Sequence, residues 1–162
     1  MNGKKQSSEI FSIVRNGTYL EYSEVISDTN VNLTEHGQNL LQEAIANNKV
    51  DIAADLVERG IDLNYQDTDG ATALNYCIEY NDETTATLLI QQNININIED
   101  KYGNQALWYA VFNARGEYNL VNLLLANGAD AHHKNHAGRS PLDFASQIND
   151  RELIFLLTDN EG

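Results

Sequence analysis

The stretch "LLLANGADAHHKNHAGRSPLDFA", Leu123–Ala145, decides how the chain is read. It begins as an apolar helical run, stops at Asn127-Gly128, crosses a polar bridge and restarts at Ser140-Pro141. Glycine after an apolar run supplies the left-handed backbone that ends a helix. Serine followed by proline starts one: the serine oxygen accepts a backbone N–H, and proline suits the first position, where no N–H is needed. The stretch therefore predicts a helix, a short extended bridge and a second helix.

The same grammar recurs along the chain. Gly37 in "EHGQNLLQEA", Gly70 in "TDGATALNYC", Gly103 in "KYGNQALWYA" and Gly138 in "HAGRSPLDFA" are spaced by 33, 33 and 35 residues. Four residues after each stands a leucine: Leu41, Leu74, Leu107 and Leu142. Seven residues after each stands a small residue, Ala44, Cys77, Ala110 or Ala145, which lets neighbouring helices approach. The second halves repeat as well, in "IAADLVERGIDLNYQD", "TATLLIQQNININIED" and "LVNLLLANGADAHHKN", where Gly60, Asn93 and Gly128 share the helix-stop position. Asn39, Thr72 and Ser140 are the expected helix caps. The third unit is longer by two residues, expected in the turn within "FNARGEYN", where insertion costs least.

A fixed period of this length predicts a solenoid of helix pairs, each burying an apolar face against its neighbour. The whole chain, 1–162, reads as one such domain. Residues 35–67, 68–100 and 101–134 are the internal repeats, 1–34 an N-terminal cap and 135–162 a C-terminal cap. Ile10, Phe11, Ile13 and Val14 are expected to bury one face of the first cap, and "DRELIFLLTDNEG" to close the last.

Composition sets the function classes. The chain has 162 residues, 42% of them hydrophobic, and a formal net charge of −14. That charge argues against a nucleic-acid or anionic-membrane binder, which needs a basic footprint, and favours a basic protein partner. No apolar run has the length of about 18 residues that a membrane helix needs, and "IFSIV" is too short and polar for a secretion signal. The single cysteine, Cys77, fits a reducing compartment, so a cytoplasmic location is expected.

The period, the closest matches "SPLDFA" and "LLLANGAD", and the looser "ATALNYC" and "LVERGIDLN" together resemble the ankyrin repeat. The resemblance covers about residues 35–159. The family's histidine is replaced by Gln42, Asn75, Trp108 and Asp143, and its proline survives only at Pro141. The resemblance implies an all-α fold: an ankyrin-repeat solenoid of helix-turn-helix units joined by β-turn or hairpin loops. It also implies that a protein partner docks on the hairpin tips and first helices.

Carried over position by position, the expected exposed sites are Glu35, His36, Gln38 and Asn47 in the first repeat, and Thr68, Asp69, Ala71, Glu79 and Tyr80 in the second. Lys101, Tyr102, Asn104, Phe112 and Asn113 follow in the third, with His136, Arg139, Gln147 and Ile148 in the fourth. Tyr80, Tyr102, Trp108 and Phe112 are expected to form an aromatic patch, with Trp108 either part of it or packed between repeats. Charge is uneven: residues 35–67 carry −5, residues 68–100 carry −6 and residues 101–134 carry +1.

Three constellations bear on chemistry. His132, His133 and His136 lie in an inter-repeat loop without a nearby cysteine and read as a polar tip; a metal-responsive regulator is the alternative. "DTDG", Asp67–Gly70, begins like a calcium loop, but Ile78 stands where the bidentate glutamate belongs. Cys77 occupies the small buried position of its repeat and reads as packing rather than as a nucleophile. No cofactor or catalytic residue is expected. The chain reads as a non-enzymatic binding module, a monomer when free. Its size and acidity resemble bacterial immunity proteins that neutralise basic toxins. A generic scaffold or regulatory subunit is the alternative.

Overall fold

The computed structural model describes the backbone of residues 2–159 and the side chains of residues 6–159. The part of the expected tail at residues 160–162 lies outside the described residues. Helices come in pairs: α1 (Asn2–Asn16) with α2 (Tyr19–Val25), α3 (Leu40–Ala46) with α4 (Val50–Glu58), α5 (Ala73–Glu79) with α6 (Glu83–Gln91), α7 (Ala106–Asn113) with α8 (Asn119–Ala126), and α9 (Pro141–Ile148) with α10 (Arg151–Asp159). The first helices form one layer, α1 on α3, then α5, α7 and α9; α2, α4, α6 and α8 follow one another in the second. The only sheet among the described residues is a minimal hairpin before α3, strand β1 (Thr34–Glu35) antiparallel to β2 (Gln38–Asn39).

The periodic leucines and small residues build the core. Leu41, Leu74 and Leu107 are buried, as are Ala44, Cys77, Ala110 and Ala145. Leu142, at the end of the stack, is half-buried. Ile10, Phe11 and Val14 close the N-terminal end as expected, while Ile13 is only partly covered. Polar bonds fasten this cap as well: Arg15 Nε lies 2.7 Å from Glu43 Oε1, and Lys49 Nζ donates to the Gly17 carbonyl at 2.7 Å.

Helix caps follow the sequence. Asn39 accepts the Gln42 N–H, and Gln42 Oε1 accepts the Asn39 N–H in return. Ser140 and Asp143 make the same reciprocal pair ahead of Pro141. Thr72 and Asn75 form a capping box at α5 as well, with the Thr72 N–H and hydroxyl both donating to Asn75 Oδ1.

The turns between paired helices use a left-handed asparagine at Asn48, Asn81 and Asn149. The third repeat spans residues 114–118 there, against 80–82 in the second, and takes Arg115-Gly116 through positive φ instead. The two-residue surplus thus sits in the expected turn. The asparagines, eleven residues after Gly37, Gly70 and Gly138, were a sequence signal that the glycine count alone overlooks.

The hairpin tips stack through backbone bonds, Lys101 N–H to the Asp69 carbonyl at 3.0 Å and His136 N–H to the Tyr102 carbonyl at 2.9 Å. This approach explains Gly70. Its φ is +83°, and a Cβ there would lie 2.9 Å from both Asp100 Cα and the Lys101 nitrogen.

Candidate protein-binding groove

A repeated aspartate–tyrosine pair shapes the hairpin side of the stack. Asp67 Oδ1 accepts the N–H groups of Asp69 and Ala71 at 2.8 and 2.9 Å, closing the hairpin, while Oδ2 accepts the Tyr76 hydroxyl at 2.9 Å. One period later, Asp100 Oδ1 accepts the N–H groups of Tyr102 and Asn104, and Oδ2 accepts the Tyr109 hydroxyl. In the fourth repeat Asn135 closes the hairpin through the N–H groups of Ala137 and Arg139, and Phe144 replaces the tyrosine. Each carboxylate therefore does two things: it fixes the tip and anchors a ring rising from the first helix. Burial, reinforced by the bond to Asp67, pushes the Tyr76 phenol well above its ordinary range; burial and the bond to Asp100 raise Tyr109 to about 12.

These pairs wall an open groove across the second and third repeats. Its floor and sides include Tyr76, Tyr109, Tyr80, Tyr102 and Phe112, with the carboxylates of Asp67, Asp69, Asp100 and Glu79. Tyr80, Tyr102 and Phe112 are 50%, 57% and 56% exposed, which makes them the uncovered apolar surface here. Tyr80 stacks on Tyr76, and Phe112 packs on Phe144 with centroids 5.2 Å apart, so the aromatic surface reaches the fourth repeat. Lys101 lies beside this acidic wall. It is held by Asp69 at 2.6 Å and rests over the Tyr102 ring, 4.9 Å from its centroid; the hydrogen bond to Asp69 raises its pKa to about 12.

The structure brings together Gln38, Asp69, Ala71, Glu79, Tyr80, Tyr102, Phe112 and Asn113 from the expected set in this groove. It corrects others. Asn104, expected on the surface, is only 7% exposed: its N–H is taken by Asp100 and its amide by Tyr109 and Asn135. Gln38, Asn47 and Ala71 are half-buried rather than exposed. Gln38 bonds the Tyr76 hydroxyl, and Asn47 reaches back to Glu43.

Trp108 lies outside the groove lining. It is half-buried against Phe144, centroids 5.8 Å apart, so it packs between the third and fourth repeats. Glu35 is half-buried at the N-terminal hairpin, where it accepts the Ser8 hydroxyl at 2.6 Å, and His36 is exposed beside it. Arg139 is half-buried and bonded to Gln147, and His136 is exposed at the last tip. These four residues flank the groove at its two ends and do not line it.

Tyr76 and Tyr109 are lining residues that the position-by-position reading missed. Their signal was present: each lies nine residues after an aspartate, and the pairs are one 33-residue period apart.

The other constellations resolve into packing. His133 points its ring nitrogen Nε2 at the Gly103 carbonyl at 3.0 Å and lies 3.4 Å from Glu99. Among the described residues no group of three or more His, Cys, Asp or Glu side chains is arranged to hold a metal ion. Asp67 serves Tyr76 and its own hairpin, and Cys77 is fully buried, with burial pushing its thiol pKa up. Among the described residues no helix is long and apolar enough to cross a membrane.

A family description for ankyrin repeats, in three copies, matches residues 41–135. Ankyrin repeats are protein–protein interaction modules, and this chain presents an open aromatic and acidic groove on the hairpin and first-helix side of its stack. With the matched stretch covering more than half of its length, the chain belongs to the ankyrin-repeat family.

Proposed function

We propose that this chain is a cytoplasmic inhibitor that captures a basic protein in its aromatic and acidic groove, in the manner of an immunity protein neutralising a toxin. The observation that carries the proposal is the composition of the groove. Three exposed rings, Tyr80, Tyr102 and Phe112, stand among the carboxylates of Asp67, Asp69, Asp100 and Glu79. Aromatic anchors hold a docked partner, and a surplus of one charge sign speeds its capture. The first two internal repeats carry −5 and −6, so the field around the groove suits a basic surface. An inhibitor needs only to cover an active site, and the chain's own side chains supply binding rather than chemistry: its thiol is buried and its histidines are spent on packing or loop tips.

The test uses a basic protein co-purified with the tagged chain. Its own activity is measured with and without the chain, and association and dissociation rates are measured for variants. Phe112→Ala and Tyr102→Ala are expected chiefly to speed dissociation. Phe155→Ala, at a 60% exposed position on α10, is expected to leave both rates unchanged. A partner whose activity survives saturation with the chain refutes inhibition. Loss of binding in the α10 variant alone refutes the groove as the docking surface.

A further inference from the structure

A second depression lies at the far end of the same first helices, lined by Ile78, Glu83, Arg115 and Glu117 among others. Glu79 and Asn113 line both this depression and the aromatic groove. The two depressions therefore adjoin at the ends of α5 and α7, one towards the hairpin tips and the other towards the enlarged turn of the third repeat.

We propose that these adjoining depressions act as one channel for an extended, arginine-bearing segment of the partner, with one guanidinium held by the Glu79 carboxylate between the rings of Tyr80 and Phe112. The proposal rests on the groove being the docking surface and goes further, to the chemistry of the occupant. Glu79 is the free carboxylate of the groove. It is exposed and, among the described residues, accepts no hydrogen bond and forms no ion pair. The other three are engaged, Asp67 by Tyr76, Asp69 by Lys101 and Asp100 by Tyr109. Beyond Glu79 the channel stays acidic, with Glu83 and Glu117 against the single base Arg115.

Register places the rings. Glu79 and Phe112 lie nine residues after Gly70 and Gly103, hence side by side on packed helices, and Tyr80 and Asn113 are the next such pair. Packed helix axes lie about 8–10 Å apart, which makes side chains at matching positions of α5 and α7 neighbours along the open groove. Arginine fits better than lysine because its planar fork pairs with a carboxylate through two bonds while stacking on an aromatic face. The chain already shows a carboxylate-and-ring seat for a cation one hairpin away, where Lys101 bridges Asp69 and Tyr102. An inner helix of seven or eight residues is about 10–12 Å long, which an extended segment covers with about three to four residues.

The probe is a short unstructured peptide alternating arginine and serine, titrated into the full chain by calorimetry and by amide chemical shifts, beside a version with lysine for arginine. Shifts are expected to cluster at residues 76–80 and 109–117. Glu79→Gln is expected to weaken binding about fivefold, and the lysine peptide to bind at least about threefold more weakly. Glu58→Gln, an identical charge change at an exposed position of α4, is expected to leave affinity within about 1.5-fold. Equal effects of Glu79→Gln and Glu58→Gln, equal affinity for the lysine peptide, or no saturable binding overturns the arginine seat. Phe112→Ala separates the two levels: if it weakens binding while Glu79→Gln does not, the groove stands and the arginine seat falls. Shifts confined to α4 and α6 remove both.

Discussion

Replacing Asn75 with glutamine should stabilise the protein. Gln42, its counterpart one repeat earlier, is fully buried and spans the repeat junction: its Nε2 donates to the Ala71 carbonyl at 2.9 Å, with the Tyr65 carbonyl at 3.4 Å. Asn75 is one methylene shorter. Its oxygen caps Thr72, but its buried Nδ2 has no hydrogen-bond partner. The acceptor equivalent to Ala71 is the Asn104 carbonyl, which already takes the Asp100 N–H as the Ala71 carbonyl takes that of Asp67. A carbonyl accepts two bonds, so one site is open.

An unsatisfied buried donor costs about 1–3 kcal/mol. Ordering the extra glutamine rotor takes back about 0.5 kcal/mol. The net expectation for Asn75→Gln is a gain of about 1 kcal/mol, which for a chain of this length is a rise of about 2–4 °C in the unfolding midpoint. The reverse change, Gln42→Asn, strands a donor and should cost about 1–3 kcal/mol. Urea unfolding followed by circular dichroism measures both, with the denaturant slope expected to stay constant. If Asn75→Gln leaves the midpoint unchanged or lowers it while Gln42→Asn is neutral, the junction bond is not what these positions contribute.

Leu107→Asp places a carboxylate at a position 1% exposed and should cost more than the roughly 2–5 kcal/mol of a leucine truncation, read as a lost or strongly lowered urea midpoint. Gly70→Ala and Gly128→Ala test close approach against backbone strain. Both have positive φ, but only Gly70 faces backbone within 3 Å, so calorimetry should show about 1–2 kcal/mol lost at Gly128 and distinctly more at Gly70. Acid should unfold the chain through carboxylates held down in the fold. Backbone and side-chain bonds from Thr18 lower Glu21, those from Ser140 lower Asp143, and bonds from Arg59, Tyr22 and Tyr19 lower Asp55 against its burial. Their stabilisation is present above the ordinary carboxylate pKa and fades as pH falls through the lowered values, so the urea midpoint should drop on acidification below about pH 4. Tyr109 has the opposite sense: its raised pKa supplies stability below pH 10 that is lost towards pH 12, and Tyr109→Phe should flatten that alkaline loss.

Local sequence by itself determined the period, the helix pairs, the caps and the buried leucine and small-residue ladder. These features depend on residues a few positions apart: a left-handed glycine after an apolar run, an oxygen before a helix, an apolar face every turn. Exposed residues of the candidate groove were legible where exposure follows directly from repeat position, as at Tyr80, Tyr102 and Phe112. Tertiary structure decided the rest. Asn104 is buried because Asp100 of its own hairpin, Tyr109 of α7 and Asn135 of the next hairpin converge on it. Trp108 leaves the groove because Phe144 of the following repeat offers its ring a face. Tyr76 and Tyr109 line the groove because a carboxylate nine residues earlier in the chain holds each hydroxyl. Whether Gln42 reaches across a junction while Asn75 does not turns on a single methylene against a fixed distance between stacked repeats. Such outcomes depend on the reach of side chains across interfaces between units some 33 residues apart, a length that the repeat period names but whose geometry only the packed stack sets.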